Sequence, residues 1–447
     1  MSQSLTGSLF GSLLGKKPPL PNQLNIALIS QYAPLIQTRP TSGRSAGPSF
    51  LRLIARGLAF RGHSVTIITG ESMGGAAAVR EADGVRIVSI APSRATRLRS
   101  QAHQPRFQDL VRSKFLELHR ENPFHIVHAL DSSALRVGMI KKEHGFAMAY
   151  DVQATRMADL FAIMGMGQET LGSILGTGFS VGWKFLSTYF SHDRQLLSTA
   201  DGVFVASPRE RISLERYYLY PDAKMYTVPY GIEIGALKEL TELPTEGDQP
   251  WLKIPESVHV AVTVSDMNET GEMVSLLRAF EQVAIRKPNS RLIVIGDGPR
   301  FKEIEFEALM LALGSKVIFT GDLSHADQVH AISRADIFVN LSARTSGFEP
   351  SLLEAMAQKK VVIGSEMSPI SAMIEHGLEG FLVRPADVSE IRDLLLAVFE
   401  KRVPTEQIGE AASAKINALF DPEKMVVETL RAYRSIIAAT GRYRRTA

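Results

Sequence analysis

Short runs of β-branched and aliphatic residues recur along this chain, each followed by a stretch long enough for a helix, and that alternation leaves few folds open. Asn25-Ile26-Ala27-Leu28-Ile29, Val65-Thr66-Ile67-Ile68-Thr69, Val262-Thr263-Val264, Arg291-Leu292-Ile293-Val294-Ile295, Ile337-Phe338-Val339-Asn340 and Val361-Val362-Ile363 all have the composition of buried strands. Strands separated by helices pair in parallel, because the connection must travel back along the whole sheet before the next strand can begin. The expected class is therefore α/β. With 447 residues and 45% apolar composition there is material for more than one core. The expected organisation is a leader over 1–22, one Rossmann-like domain over 23–236, a linker over 237–256, a second such domain over 257–402, and helices over 403–447.

Composition removes several function classes. A net charge of +3 is too small to imply nucleic acid, and no nucleic-acid-binding motif is present. The absence of cysteine excludes disulfides, thiolate metal sites and a cysteine nucleophile, and fits a reducing cytoplasm. His125 and His128, at strand spacing around Val127, do not make a metal set, so no metal is expected. The leader has no basic region ahead of its apolar residues, since Lys16-Lys17 follow them, and it does not read as a signal peptide. No run approaches the ~20 apolar residues of a spanning helix.

Positions 346–383 carry the most chemistry. A helix begins near Leu352 after a Gly-Phe loop, and the β-branched run 361–363 follows it. Ligands of such sheets bind at the carboxyl ends of the strands, where a helix N-terminus offers unpaired N–H groups to an anion. A phosphate is therefore expected near Ser346 to Ser351, on the loop fed by the strand 337–340.

At these residues the chain resembles glycosyltransferase family 4, whose members are retaining enzymes with the GT-B fold: two Rossmann-like parallel-sheet domains facing across a cleft. Glu354-Ala355-Met356-Ala357 matches the end of the family's Glu-Gly-Phe-Gly-x-x-x-x-Glu-Ala-Met loop. Arg61-Gly62-His63, Ile126-Val127-His128-Ala129, Ala200-Asp201-Gly202 and Val228-Pro229-Tyr230-Gly231 match motifs of its first domain, and Arg291 to Pro299 match "rLvivGdGp" in its second. The resemblance implies a nucleotide-diphosphate sugar as donor substrate, no separate cofactor, and a glycan or lipid-linked acceptor. It assigns the ribose hydroxyls to Glu354. It places Gly43, Gly47, Gly296, Asp297, Gly298, Gly347, Phe348, Glu349, Ser351 and Leu352 around the donor, and His128, Gln153 and Ser346 at the positions nearest the reacting sugar. In this fold the last helix commonly returns to the first domain, and Pro422 to Ala439 fits that part.

Several charged residues of the family pattern are missing. Ser346 stands where the first Glu belongs, Gln153 replaces a His, Ala372 replaces an acid, and Tyr230 replaces an Asn. Asp266 and Thr270 or Gly271 fall where an Arg and a Lys usually grip the diphosphate. Two lost charge-assisted bonds are worth roughly 3–6 kcal/mol, more than the 0.3–1 kcal/mol that a helix terminus returns. Arg344 and Arg300 are the local substitutes. Three readings stay open: a hexose-transferring enzyme; an inactive glycosyltransferase-like protein that serves a partner glycosyltransferase or binds sugar; and a peripheral membrane scaffold. The last draws on the apolar, aromatic insertion 159–190 and on the basic stretch Arg94, Arg97, Arg99, Arg106, Arg112, Lys114 and Arg120, which would suit the inner face of a membrane. Bacterial cell-envelope polysaccharide or glycolipid synthesis is the family's usual setting.

Overall fold

The computed structural model describes residues 21–31, 50–70, 78–90, 104–152, 192–206, 208–242, 249–342, 350–366, 370–384 and 386–441. Leader residues 1–20, the insertion 159–190, Arg94 to Arg99 and the tail after Gly441 lie outside these residues.

Eight strands form the first sheet: β1 (Asn25–Ser30), β2 (Ser64–Gly70), β3 (Ala78–Ala82), β4 (Val85–Ile90), β5 (Ile126–Ala129), β6 (Ala147–Asp151), β7 (Gly202–Val205) and β8 (Met225–Thr227). Their order is β3-β4-β2-β1-β5-β6-β7-β8, parallel except for β3 against β4. Six strands form the second: β9 (His259–Val264), β10 (Ser290–Ile295), β11 (Val317–Gly321), β12 (Ile337–Asn340), β13 (Val361–Ser365) and β14 (Phe381–Val383). Their order is β11-β10-β9-β12-β13-β14, all parallel. Strand order reverses between β1 and β5 in one sheet and between β9 and β12 in the other. At such reversals the two flanking loops diverge to opposite faces and leave a crevice at the carboxyl ends.

The strands expected from sequence are buried on both faces. Ile26 and Leu28 point into one core with the Phe50–Phe60 helix, while Ala27 and Ile29 point into the other with Phe115 and Leu118 of the Gln104–Glu121 helix. That two-sided burial explains why these strands are continuous hydrophobic runs rather than alternating ones.

The Pro422–Thr440 helix returns to the first sheet. Asp421 caps it, its side chain accepting from Glu423 N, and Pro422 occupies the first turn, where a missing N–H costs nothing. Its stripe of Met425, Val426, Leu430, Tyr433, Ile436 and Ile437 enters the core around Ile26, Leu28 and Phe204. The preceding Thr405–Leu419 helix stays with the second sheet, where Ile408 and Ile416 are buried.

The segment expected to be a linker from 237 is helical through Glu242, and its Leu237 is buried with Trp251 in the core of the second sheet. The apolar spacing Ile234, Leu237, Leu240 supplies the inward face of that helix. The chain therefore changes domain near Gly231. It does so beside the returning crossing: Ile232 N donates to Phe420 O at 2.8 Å and Gly231 N to Met425 Sδ at 3.1 Å. A Cβ on Gly231 would lie 2.5 Å from Pro422 Cα, so only glycine lets the two crossings touch.

Candidate functional site at the carboxyl edge of the second sheet

Glu354 lies in the Pro350–Ala357 helix and is wholly buried. A buried carboxylate needs partners. His325 Nε2 lies 2.8 Å from its Oε1, and Gln328 Nε2 donates to its Oε2 at 3.3 Å. Both partners come from the His325–Ser333 helix, which starts just past β11. Ser324 caps that helix, its Oγ accepting from Asp327 N at 3.1 Å. The imidazole keeps 18% of its side chain exposed, whereas the carboxylate behind it has none.

Gly296, Asp297 and Gly298 form the turn after β10. A Cβ on Gly296 would sit 2.0 Å from Ser265 O, and one on Gly298 would sit 2.0 Å from Asp266 O; Gly296 also has φ +117°. The glycines thus let this turn lie directly on the loop after β9, a packing reason that needs no phosphate. Asp297 is exposed and accepts from Gly298 N at 2.7 Å. Asp266 closes a local turn, accepting from Asn268 Nδ2 at 2.6 Å. Ser351 and Leu352 are buried, Leu352 among the core residues of this domain, so what they can offer an anion is backbone N–H.

Arg300 and Arg384 are the Arg or Lys residues that directly follow strands of this sheet among the described residues. Each is paired three residues on, Arg300 with Glu303 at 2.6 Å and Arg384 with Asp387 at 2.7 Å. Of the two expected substitute cations, Arg300 is therefore already engaged, and Arg344 lies outside the described residues. So do Gly43, Gly47, Gln153, Ser346, Gly347, Phe348 and Glu349.

His128 does not reach the cleft. It shares a face of the first sheet with Ile126 and Leu28, and the returning helix covers that face. Its Nδ1 lies 2.7 Å from Tyr433 Oη and its ring stacks on Phe204 at 4.8 Å. Nε2 is 3.7 Å from Asp151 Oδ2, too far for a hydrogen bond. Asp151 in turn accepts from Tyr230 Oη at 2.8 Å. Burial pushes the His128 imidazole down to about 3 and the Asp151 carboxyl up to about 7, the Tyr230 bond opposing the latter shift and Glu210 adding to it. At neutral pH His128 is an uncharged core group joined to the returning Pro422–Thr440 helix.

Sequence reasoning missed His325, Gln328, Asp151 and Tyr433. The Ser324-x-x-Asp327 pattern marks a helix start and could have placed His325 at its first position. Nothing local to Asp151 or Tyr433 predicts their meeting.

Among the described residues no helix is long and apolar enough to cross a membrane, and no group of three or more His, Asp or Glu could hold a metal ion.

Two family matches cover the two domains: residues 48–231 match a glycosyl transferase 4-like domain and residues 246–415 match glycosyl transferases group 1. Curated relatives include N-acetyl-alpha-D-glucosaminyl L-malate synthase of Bacillus anthracis, 26% identical over 200 residues covering 45% of this chain and 50% of that one. Alpha-monoglucosyldiacylglycerol synthase of Streptococcus pneumoniae is 25% identical over 230 residues, 51% of this chain and 49% of the relative. The matched region thus spans about half the length of these relatives. Among solved structures, sucrose-phosphate synthase from Thermosynechococcus elongatus superposes with a TM-score of 0.75 at 19% identity, covering 93% of this chain and all of that one. Anabaena Alr3699/HepE, solved in complex with UDP and glucose, gives 0.65 at 15% identity over 92% of this chain and all of that one. With two parallel-sheet domains, a returning C-terminal helix and both halves matched, the chain belongs to glycosyltransferase family 4 and has the GT-B fold.

Proposed function

We propose that the protein binds a nucleotide-diphosphate sugar at the carboxyl edge of the second sheet and transfers its hexose, with retention, to a glycan or lipid-linked acceptor. The observation that carries this reading is the Glu354 carboxylate, held by His325 and Gln328 beside the strand-order reversal in a chain of this family. A lipid-linked acceptor is supported by the Streptococcus relative, whose name is alpha-monoglucosyldiacylglycerol synthase. Such chemistry would sit at the inner face of a membrane.

In the transfer, the bond between sugar C1 and the phosphate oxygen breaks and its electron pair leaves with the nucleoside diphosphate. The acceptor hydroxyl oxygen forms the new bond on the same face of the ring and gives up its proton to the departing phosphate oxygen. The growing phosphate charge is what the site must stabilise. Backbone N–H groups at Ser351 and Leu352 contribute, and Arg300, one nitrogen of which is paired with Glu303, is a local cation.

The paired state of Arg300 and the presence of Asp266 support a second reading, nucleotide-sugar binding without transfer. Calorimetric titration with UDP- and GDP-sugars, run beside an assay for released nucleoside diphosphate in the presence of lipid and glycan acceptors, separates the two. Binding with turnover is expected. Binding without turnover under every acceptor favours the second reading, and silence with every nucleotide sugar overturns both.

A further inference from the structure

We infer that the protein has a further binding site, at the amino edge of the first sheet, that takes one uncharged sugar ring. A cavity of about 220 Å³ opens there, on the face of the sheet covered by the Gln104–Glu121 helix. This edge lies opposite the carboxyl ends of the strands, so the inference does not rest on the proposed donor site.

Further along that face the strands present Ala27, Ile29, Ile68, Val88 and Ile90 to the core. At its start they present polar groups instead. Asn25 stands opposite Ser64, Thr66 opposite Arg86, and Arg86 opposite Glu81, so all five share the face, and all five line the cavity. Polar groups on a core face are costly unless something polar meets them, and much of their bonding capacity is unspent. The amide nitrogen of Asn25 donates to Asn122 O and Pro123 O at 3.0 and 3.1 Å, while its buried Oδ1 accepts nothing. Thr66 is only 5% exposed. Among the described residues its hydroxyl makes no hydrogen bond, and neither does that of Ser64 or the Glu81 carboxylate. Arg86 spends one guanidinium nitrogen on Glu121, at 3.5 Å.

Charge and size select the ligand. Glu81 and Glu121 oppose an anion, as do the carbonyls at the end of the helix, and Arg86 opposes a cation. What remains is a neutral molecule that donates and accepts at several points. Adjacent hydroxyls of a sugar ring do both, accepting from the guanidinium of Arg86 and donating to Glu81 and, deeper, to Asn25. Leu118 and Phe124 in the wall suit the C–H groups of the ring. The volume falls below the roughly 300 Å³ at which pockets for drug-sized ligands begin, so it admits one ring and not a nucleotide.

The ring is a free hexose or the end of a glycan, and saturation-transfer NMR on the full chain separates the two. Glucose, galactose, mannose and N-acetylglucosamine form one set of probes, maltotriose and mannotriose the other. Transfer to at least one probe is expected. Transfer to monosaccharides alone assigns a free sugar, and transfer to one terminal ring of a trisaccharide assigns a glycan end. Thr66→Val keeps the shape of the wall and removes a hydroxyl, whereas Glu81→Gln, on an exposed side chain, keeps the size and removes the charge. Each should weaken binding about tenfold, the scale of one hydrogen bond. A thermal midpoint of Thr66→Val at or above wild type shows that the variant is folded, since its hydroxyl had no partner to lose. No transfer to any probe overturns the inference. So does an affinity that neither substitution changes, because the sugar then lies elsewhere on the protein.

Discussion

Replacing Asp151 by Asn should make the protein more stable at neutral pH and no more stable in mild acid. Asn keeps an oxygen to accept from Tyr230 and carries no charge, so it imitates the protonated acid. The folded protein holds the Asp151 proton up to about pH 7, whereas an ordinary carboxyl releases it near 3.8. Its contribution to stability is therefore complete below pH 3.8 and is lost as pH rises to about 7, at about 1.4 kcal/mol per unit and roughly 4 kcal/mol in all. His128 behaves oppositely. Its folded value, about 3, lies below the usual 6.5, so its contribution is complete above pH 6.5 and is lost as pH falls toward 3. Between about pH 4 and about pH 6.5 the two slopes cancel, because folded and unfolded chains each carry one proton on the pair. Asp151→Asn removes only the falling limb. Measured by urea unfolding at the transition the substitution moves, its stability relative to wild type should climb by about 1.4 kcal/mol per pH unit from about pH 4 to about pH 7. Asp151→Ala should run parallel to Asp151→Asn and about 1–3 kcal/mol below it, because it also loses the oxygen that accepts from Tyr230. A difference curve for Asp151→Asn that stays flat across this window would refute the reasoning, since it would mean that the buried acid ionises normally.

Tyr433→Phe should cost about 1 kcal/mol through the lost contact to His128, read in the same unfolding experiment; no change would mean that the contact adds nothing beyond ring packing. Gly296→Ala should lower stability by about 3 kcal/mol or more, combining left-handed backbone strain with a Cβ driven onto Ser265 O. Thermal unfolding checks this, and a wild-type midpoint would show that the two loops are not in contact. Gly231→Ala should cost about 1–3 kcal/mol by forcing the two interdomain crossings apart at Pro422. Small-angle scattering should register the altered domain arrangement, and an unchanged profile with unchanged stability would contradict the paired crossing.

Much of the fold was legible in local pattern. Buried parallel strands read as continuous apolar runs, and those at 25–29, 65–69, 262–264, 291–295, 337–340 and 361–363 fall within strands of the two sheets. The helix over 422–440 is announced by Asp421-Pro422 and its apolar spacing. The candidate site was legible only in part. Glu354 stands out from its motif, but its partners come from a different helix 26 and 29 residues earlier, beyond the reach of any short-range pattern.

What the sequence determined by itself is whatever depends on neighbours within a few residues: strand and helix identity, caps, the parallel class, and through motif order the family. Tertiary structure alone decided which of the polar residues are buried and what covers them. Burial sets both the accessibility and the charge of a side chain, and burial is a property of what folds over it. His128 and Glu354 each looked like a group presented to the cleft, yet the returning helix closes over one and an imidazole stands before the other.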